Sequence, residues 1–196
     1  VDVQPDKQML TLGASADGKD AAAVQAQLRQ VVDAALTVAR SQVAAPQMEV
    51  RTGQFSLYPR HGKNGEITGW QGRAELVLHG RDFARITGTA ARIQGMPIAQ
   101  VGFGLSRSES QRAEREAQAQ AIEAFKARAA TLTQAFGFAG YTLREVSVSS
   151  QGQMPVPRPR MMAMEAKMSS MSDSALPVEA GKSTVEVTVS GSVQMR

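Results

Sequence analysis

The sequence predicts an α+β fold made of two β-α-β-β units that are joined by a short helix. Three observations predict this class. Apolar residues alternate with polar ones in several short segments, two long segments carry apolar residues at helical spacing, and this order of elements occurs twice. Each long helix is expected to lie across an antiparallel sheet. We predict one domain over residues 1–196, with internal repeats at residues 7–80 and 97–196.

The first repeat begins with a strand from about Lys7 to Ala14. A helix follows from Asp20 to about Ser41, after a polar stretch with helix-start chemistry. Its apolar stripe comprises Val24, Leu28, Val31, Val32, Ala35 and Ala39. Two strands, from Met48 to Tyr58 and from Ile67 to His79, complete the repeat. A short helix from Asp82 to about Ile93 then leads to the second repeat.

The second repeat opens with a strand from Ala99 to Leu105. Ser108 and Gln111 match a capping box, which predicts the start of a long helix. That helix is expected to end at Phe136, before Gly137. Its predicted buried stripe is Ala121, Ile122, Phe125, Ala129, Leu132 and Phe136. A strand from Tyr141 to Ser149 and an alternating valine strand after Val185 close the repeat.

The same irregularity occurs in one strand of each repeat. Met48 and Val50 occupy even positions, whereas Phe55 and Leu57 occupy odd ones, so the alternation shifts by one residue near Gly53. In the second repeat Tyr141 and Leu143 occupy odd positions and Val146 and Val148 even ones, so the alternation shifts in the same way near Arg144. One extra residue in a strand shifts the alternation in this way, so we predict a β-bulge at each position.

Composition and motifs indicate a protein without catalytic apparatus. There is no cysteine, which excludes disulfides and thiolate chemistry, and neither His61 nor His79 has a ligand-like partner at helical or hairpin spacing. The sequence contains no nucleotide-binding loop or hydrolase motif. Few aromatic residues and scattered charges argue against nucleic-acid binding, and no apolar run is long enough to span a membrane. We therefore expect no enzyme activity, catalytic residue, cofactor or metal centre.

A segment rich in methionine and proline, residues 151–182, is the exception. It holds six of the ten methionines, and such a long connection between strands is functional or disordered in most proteins. Three interpretations stay open: a mobile or partly helical insert, an oligomer contact, or a soft-metal or oxidant site. For the last, Met161, Met164, Met168 and Met171 would share one face of a helix, with Met162 nearby.

Several motifs, by their order and spacing, resemble the SIMPL-domain family over nearly the whole chain. They are Val3-Gln4-Pro5-Asp6, Val50-Arg51-Thr52, Phe55-Ser56-Leu57-Tyr58-Pro59, Ile67-Thr68-Gly69-Trp70, Gly104-Leu105-Ser106, Ala135-Phe136-Gly137 and Pro177-Val178-Glu179-Ala180-Gly181-Lys182. The resemblance implies export to the periplasm through a signal peptide that this sequence does not contain. It also implies assembly into homo-oligomers. Some members are associated with oxidative-stress resistance, and some are immunogenic or associated with the outer membrane.

The resemblance brings no catalytic residues, because the family has none that are agreed. We therefore expect a non-enzymatic envelope protein that self-assembles and supports envelope integrity or oxidative-stress tolerance. The alternative is a methionine-rich binding module or sink for Cu(I) or oxidants. An unrecognised enzyme is the third and least favoured hypothesis.

Overall fold

The computed structural model describes residues 1–154 and 180–196, which form seven β-strands and three α-helices. In chain order these are β1 (Asp2–Val3), β2 (Lys7–Gly18), α1 (Ala21–Arg40), β3 (Glu49–His61), β4 (Ile67–Gly80), α2 (Phe83–Arg92), β5 (Ile98–Gly104), α3 (Arg107–Ala135), β6 (Tyr141–Met154) and β7 (Ser183–Met195). The predicted α+β class, with two strand–helix–strand–strand successions around a short helix, is confirmed.

The described chain divides into two compact units, which we name by their sheets. The four-stranded unit is Asp6–Gly104, and the three-stranded unit comprises residues 1–5, 105–154 and 180–196. Both sheets are antiparallel throughout. That the chain is one domain with internal repeats at residues 7–80 and 97–196 stays a prediction.

In the four-stranded unit the sheet order is β3-β4-β2-β5. Helix α1 begins where Asp20 accepts a hydrogen bond from the backbone N–H of Ala23 at 2.8 Å. The predicted apolar stripe of α1 lies on the sheet, because Val24, Leu28, Ala35 and Ala39 are buried. The sheet contributes the fully buried side chains Leu10, Leu12, Leu76 and Leu78. This burial of apolar surface is the main source of the unit's stability.

In the three-stranded unit the sheet order is β1-β7-β6, and α3 packs mainly on β7. Its core is small and consists of Val3, Leu105, Ala113, Ala117 and Val185. The alternating valines of β7 were predicted to form a strand, and Val185 and Val187 turn toward this core. Because β6 is the outer strand of the sheet, its helix-facing row of side chains is less covered than that of β7.

Both predicted β-bulges are present. In β3 the pairing with β4 shifts between Thr52 and Phe55, so Gly53 and Gln54 face the single residue Glu75. In β6 the pairing with β7 shifts between Leu143 and Glu145, which leaves Arg144 as the extra residue. Each shift brings the apolar residues on both of its sides onto one face of the sheet.

A glycine accompanies each bulge where the backbones approach closely. A Cβ added at Gly53 would lie 2.7 Å from the Cβ of Glu75. On the strand opposite the second bulge, a Cβ at Gly191 would overlap the carbonyl oxygen of Glu145. Only glycine fits these two positions without a backbone shift.

One prediction about α3 is wrong and another is only partly correct. The helix begins at Arg107, because Ser106 has the extended cap conformation and accepts from the N–H of Glu109; Ser108 lies inside the first turn. The predicted stripe is only partly correct: Ala129 is buried and Ala121, Ile122 and Phe125 are half-buried, but Leu132 and Phe136 are exposed. The other buried residues of α3 are Ala113, Ala117 and Thr133. Small side chains let the helix approach other structure closely, so they take the buried positions.

One pairing differs from what the repeat order indicates. Strand β5, which opens the second repeat, is hydrogen-bonded to β2 in the four-stranded sheet. The third strand of the other sheet is β1, at the start of the chain, where Asp2 pairs with Thr184. Element order does not determine these long-range pairings, since any exposed strand edge offers the same backbone groups.

We predict that Gly191→Ala destabilises the three-stranded unit by about 2 kcal/mol, because the added methyl group forces Gly191 away from the carbonyl of Glu145. Hydrogen exchange should show faster exchange for the amides of β6 and β7. Ser192→Ala, one residue further along the same strand, is the control and should leave exchange nearly unchanged. Equal protection in Gly191→Ala and the wild type would show that the close approach is not a constraint.

Candidate interaction surface

Six of the twelve large hydrophobic side chains that are exposed in the described chain belong to one short stretch of the three-stranded unit. They fall between residues 132 and 148, from the last turn of α3 to the middle of β6. The six are Leu132, Phe136, Phe138, Leu143, Val146 and Val148. Large exposed apolar groups of this kind mark interaction sites when they cluster.

The three residues of β6 form one row on the sheet, which we call the β6 row: Leu143, Val146 and Val148. Their direct partners across β7 are Val193, Gly191 and Val189, which are alternate residues of one strand and so lie on one face. That face is the one on which Val185 and Val187 of β7 meet the core. Without the bulge at Arg144, Leu143 would lie on the other face.

The β6 row is therefore a continuation of the core face that the described residues cover only by about half. Leu143 is 54% exposed, Val146 is 44% exposed and Val148 is 45% exposed. Because α3 packs mainly on β7, the apolar side of β6 extends beyond the helix. An apolar row on the core side of a sheet is the kind of surface that a partner covers.

The other three residues surround the end of α3. Gly137 has φ 78°, its N–H donates to the carbonyl of Gln134, and the N–H of Phe138 donates to the carbonyl of Thr133. These bonds form a Schellman motif, which confirms the predicted stop at Gly137. Phe136 and Phe138 flank this turn, and Phe136 is 68% exposed. The turn thus presents two phenyl rings to solvent.

Charge is absent from most of β6. Arg144 and Glu145 lie at the bulge, and residues 146–154 contain no charged residue and no proline. Charged residues and prolines are the usual means by which edge strands avoid pairing with other chains. The outer strand of this sheet lacks that protection over most of its length.

Many charged side chains elsewhere form exposed ion pairs. On α3, Arg112 contacts Glu109 at 2.9 Å and Lys126 contacts Glu123 at 3.0 Å, as the helical spacing predicts. The guanidinium of Arg112 therefore has a raised pKa, first through its hydrogen bond to Glu109. Within residues 1–154 and 180–196, no group of three or more histidine, aspartate or glutamate side chains is placed to hold a metal ion.

An open polar depression of about 340 Å³ lies on the solvent side of β3 and β4. It is lined by Gln54, Ser56, Tyr58, Gln71, Arg73 and Glu75. Glu75 accepts a hydrogen bond from the backbone N–H of Gln54 at 3.3 Å, which stabilises the bulge. Antiparallel sheets commonly keep one polar face in solvent, and this depression is part of such a face.

The two histidines lie apart on the four-stranded sheet. His61 ends β3 opposite Ile67, and His79 lies in β4 between its direct neighbours Met9 and Glu49. Sequence spacing could not reveal the neighbours of His79, because one is seventy residues and the other thirty residues away. The pKa of His79 lies below 6.5, chiefly because the side chain is partly buried. The positive charges of Lys7 and Arg51 also lower this pKa, whereas the negative charge of Glu49 raises it.

The methionines proposed for soft-metal binding, Met161, Met162, Met164, Met168 and Met171, lie outside the described residues, so their prediction stays open. Among the methionines in the described chain, Met48 and Met96 are buried in the core of the four-stranded unit, and Met9 is exposed beside His79. No helix in the described ranges is long and apolar enough to cross a membrane.

Comparison with protein-family models shows the family to which the chain belongs. A family model named SIMPL, described as "Protein of unknown function (DUF541)", matches residues 1–193. Because the match covers almost the whole sequence, the chain belongs to the SIMPL family, as the motifs indicated. Among curated proteins, no significant match to the chain is found.

One solved structure with partial similarity is "The crystal structure of AtUAH in complex with glyoxylate". It is 15% identical to this chain, and the similarity covers 60% of this chain and 32% of that chain, with a TM-score of 0.30. At this TM-score the match carries no argument about fold or function.

We predict that protonation of His79 destabilises the four-stranded unit. Because its folded pKa lies below its unfolded value, the unfolded chain binds the proton more strongly, and stability falls as the pH drops through 6.5. His79→Gln should reduce this fall between about pH 7.5 and about pH 5 in urea unfolding. Trp70, the sole tryptophan and part of this unit, reports the transition by fluorescence.

His61→Gln is the matched control and should retain the pH dependence of the wild type. If His79→Gln also retains it, burial of His79 does not contribute to the acid sensitivity of this unit.

Proposed function

We propose that this protein is a non-enzymatic component of the bacterial periplasm that works as a homo-oligomer and supports envelope integrity or oxidative-stress tolerance. The observation that carries the proposal is the β6 row, an apolar continuation of the core face that the described residues leave exposed. The proposed partner is a second copy of the chain, because every copy carries the same β6 row and is found wherever the protein is.

The β6 row alone is too small to hold two copies together stably. Burying a leucine or valine completely stabilises by about 1.5–3 kcal/mol, so covering the half-exposed residues of the row contributes roughly 1 kcal/mol each. Six such side chains from two copies reach about 6 kcal/mol, near the lower end of the cost of association. Backbone hydrogen bonds and the phenyl rings at the end of α3 would therefore be needed for a stable oligomer.

The periplasmic location and peripheral contact with the outer membrane are proposed from family resemblance. Support for a role without catalysis comes from three carboxylates that have structural roles, in helix capping or ion pairing. Asp82 caps α2, and its pKa is lowered first by the N–H of Arg85; Asp17 pairs with Arg60, and Glu109 pairs with Arg112. Each of these carboxylates stabilises local structure.

We predict that Val148→Lys weakens self-association at least about tenfold, because a charge on the edge strand must lose its hydration when copies meet. Light scattering or native mass spectrometry at micromolar concentration measures the effect. Ile67→Lys is the matched control: Ile67 is 55% exposed on the other sheet, and its replacement should not alter the assembly. Circular dichroism verifies that both variants fold.

The same pair of variants tests the physiological role. In cells that lack the gene, the wild type and Ile67→Lys should restore survival in peroxide or detergent, and Val148→Lys should not. A strictly monomeric wild type would contradict the proposal, and so would full complementation by a monomeric Val148→Lys protein.

A second candidate function is a sink for Cu(I) or oxidants, supported by the six methionines between residues 151 and 182. Thioethers prefer Cu(I) and are reversibly oxidised to sulfoxides. Replacing Met161, Met162, Met164, Met168 and Met171 with leucine should weaken Cu(I) binding at least about tenfold in a competition titration. Leucine at Met9 and Met195 is the control; equal affinity of the five-leucine variant and the wild type would exclude this function.

A further inference from the structure

The outer edge of β6 is the most open strand edge in the described chain. β6 has 14 residues and pairs on one side with β7, and no described strand pairs with its other side. Alternate backbone N–H and C=O groups therefore point away from the sheet along this edge. Such a row is a template for adding another strand.

The other edges are shorter or protected. β1 has 2 residues and β5 has 7. β3 is long, but it carries Pro59 and the charged residues Arg51 and Arg60, which disfavour pairing with another chain. β6 has neither proline nor charge after Glu145. Of these four edges, β6 is therefore the one suited to an intermolecular contact.

We propose that two copies of this chain pair antiparallel through the edges of β6, with a two-fold axis at Ser147. The inference rests on the proposed self-association and specifies the strand and the register that it uses. An isologous contact of this kind uses the same surface twice and closes after two copies. It joins two three-stranded sheets into one six-stranded sheet.

The side chains of β6 favour this register. With the axis at Ser147, Val146 of each copy lies opposite Val148 of the other, so two valine pairs form on the core face. Moving the axis to Val146 or Val148 leaves a single valine pair and places the second valine opposite Arg144 or Ser150. Cross-strand pairs of β-branched residues stabilise antiparallel sheets, so the register at Ser147 is preferred.

The polar residues of β6 are also compatible with a two-fold axis at Ser147. Val146 and Val148 lie on the core face, so Ser147 and Ser149 point to the opposite face, where they are exposed. Small serines at the axis let the two strands approach without a clash. Glu145 would lie opposite Ser149 of the second copy, so no like charges meet across the contact.

The absence of cysteine from the sequence permits a direct test, since one engineered cysteine is then the sole thiol. At the axis, the Cα atoms of two Ser147→Cys residues would be about 4.5–5.5 Å apart, within the range of a disulfide. Ser149→Cys is the matched control on the same face. Its two copies would be four residues apart along the strands, or about 14 Å, too far for a disulfide.

We expect Ser147→Cys to form covalent dimers at least about tenfold faster than Ser149→Cys under mild oxidation with diamide, at equal concentrations near the midpoint of assembly. In the wild type, hydrogen exchange at residues 146–150 should slow as protein concentration rises. This second measurement needs no substitution and does not depend on how a variant folds.

The outcomes separate the two proposals. An oligomeric wild type whose Ser147→Cys and Ser149→Cys variants cross-link at similar rates would overturn this register and leave self-assembly intact. Concentration-independent exchange along β6 in an oligomer would show that copies meet elsewhere. A monomeric wild type would overturn both the pairing and the proposed function.

Discussion

Two β-bulges, one in β3 and one in β6, determine which side chains of these strands lie on the core face of their sheets. A strand alternates its side chains strictly, so one extra residue transfers every later side chain to the opposite face. At Gly53 this transfer lets Val50 and Leu57 lie on the same face of the sheet, where each packs against buried residues of the unit. At Arg144 it keeps Leu143 in line with Val146 and Val148. Core packing in one unit and the exposed apolar row in the other both follow from these shifts.

The two units use their helices differently. In the four-stranded unit, α1 presents Val24 and Leu28 to the sheet, and large apolar side chains fill the interior. In the three-stranded unit, α3 presents alanines at positions 113 and 117, so little apolar volume is available for the core. A small core that leaves part of its own sheet exposed gains stability when another surface covers it, which is the physical reason to expect a partner.

Local signals in the sequence were accurate where the physical cause is local. Asp20 caps α1, Gly137 adopts a positive φ at the end of α3, and both phase shifts mark bulges. The start of α3 was misplaced because Ser106 and Ser108 both offer a capping hydroxyl, and the chain direction at Ser106 decides between them. Its predicted apolar stripe is wrong only at Leu132 and Phe136, because periodicity shows which residues share a face but not what covers that face.

The sequence by itself determined the α+β class, the order of elements, the bulges and the family, because each depends on residues close in the chain or on motif order. The tertiary structure alone decided that β5 pairs with β2, that Met9 and Glu49 flank His79, and that β6 forms the outer edge of its sheet. These features depend on contacts between distant residues. The candidate site belongs to this second group, since the valines of β6 are as apolar as those of β7 and differ from them mainly in being less covered.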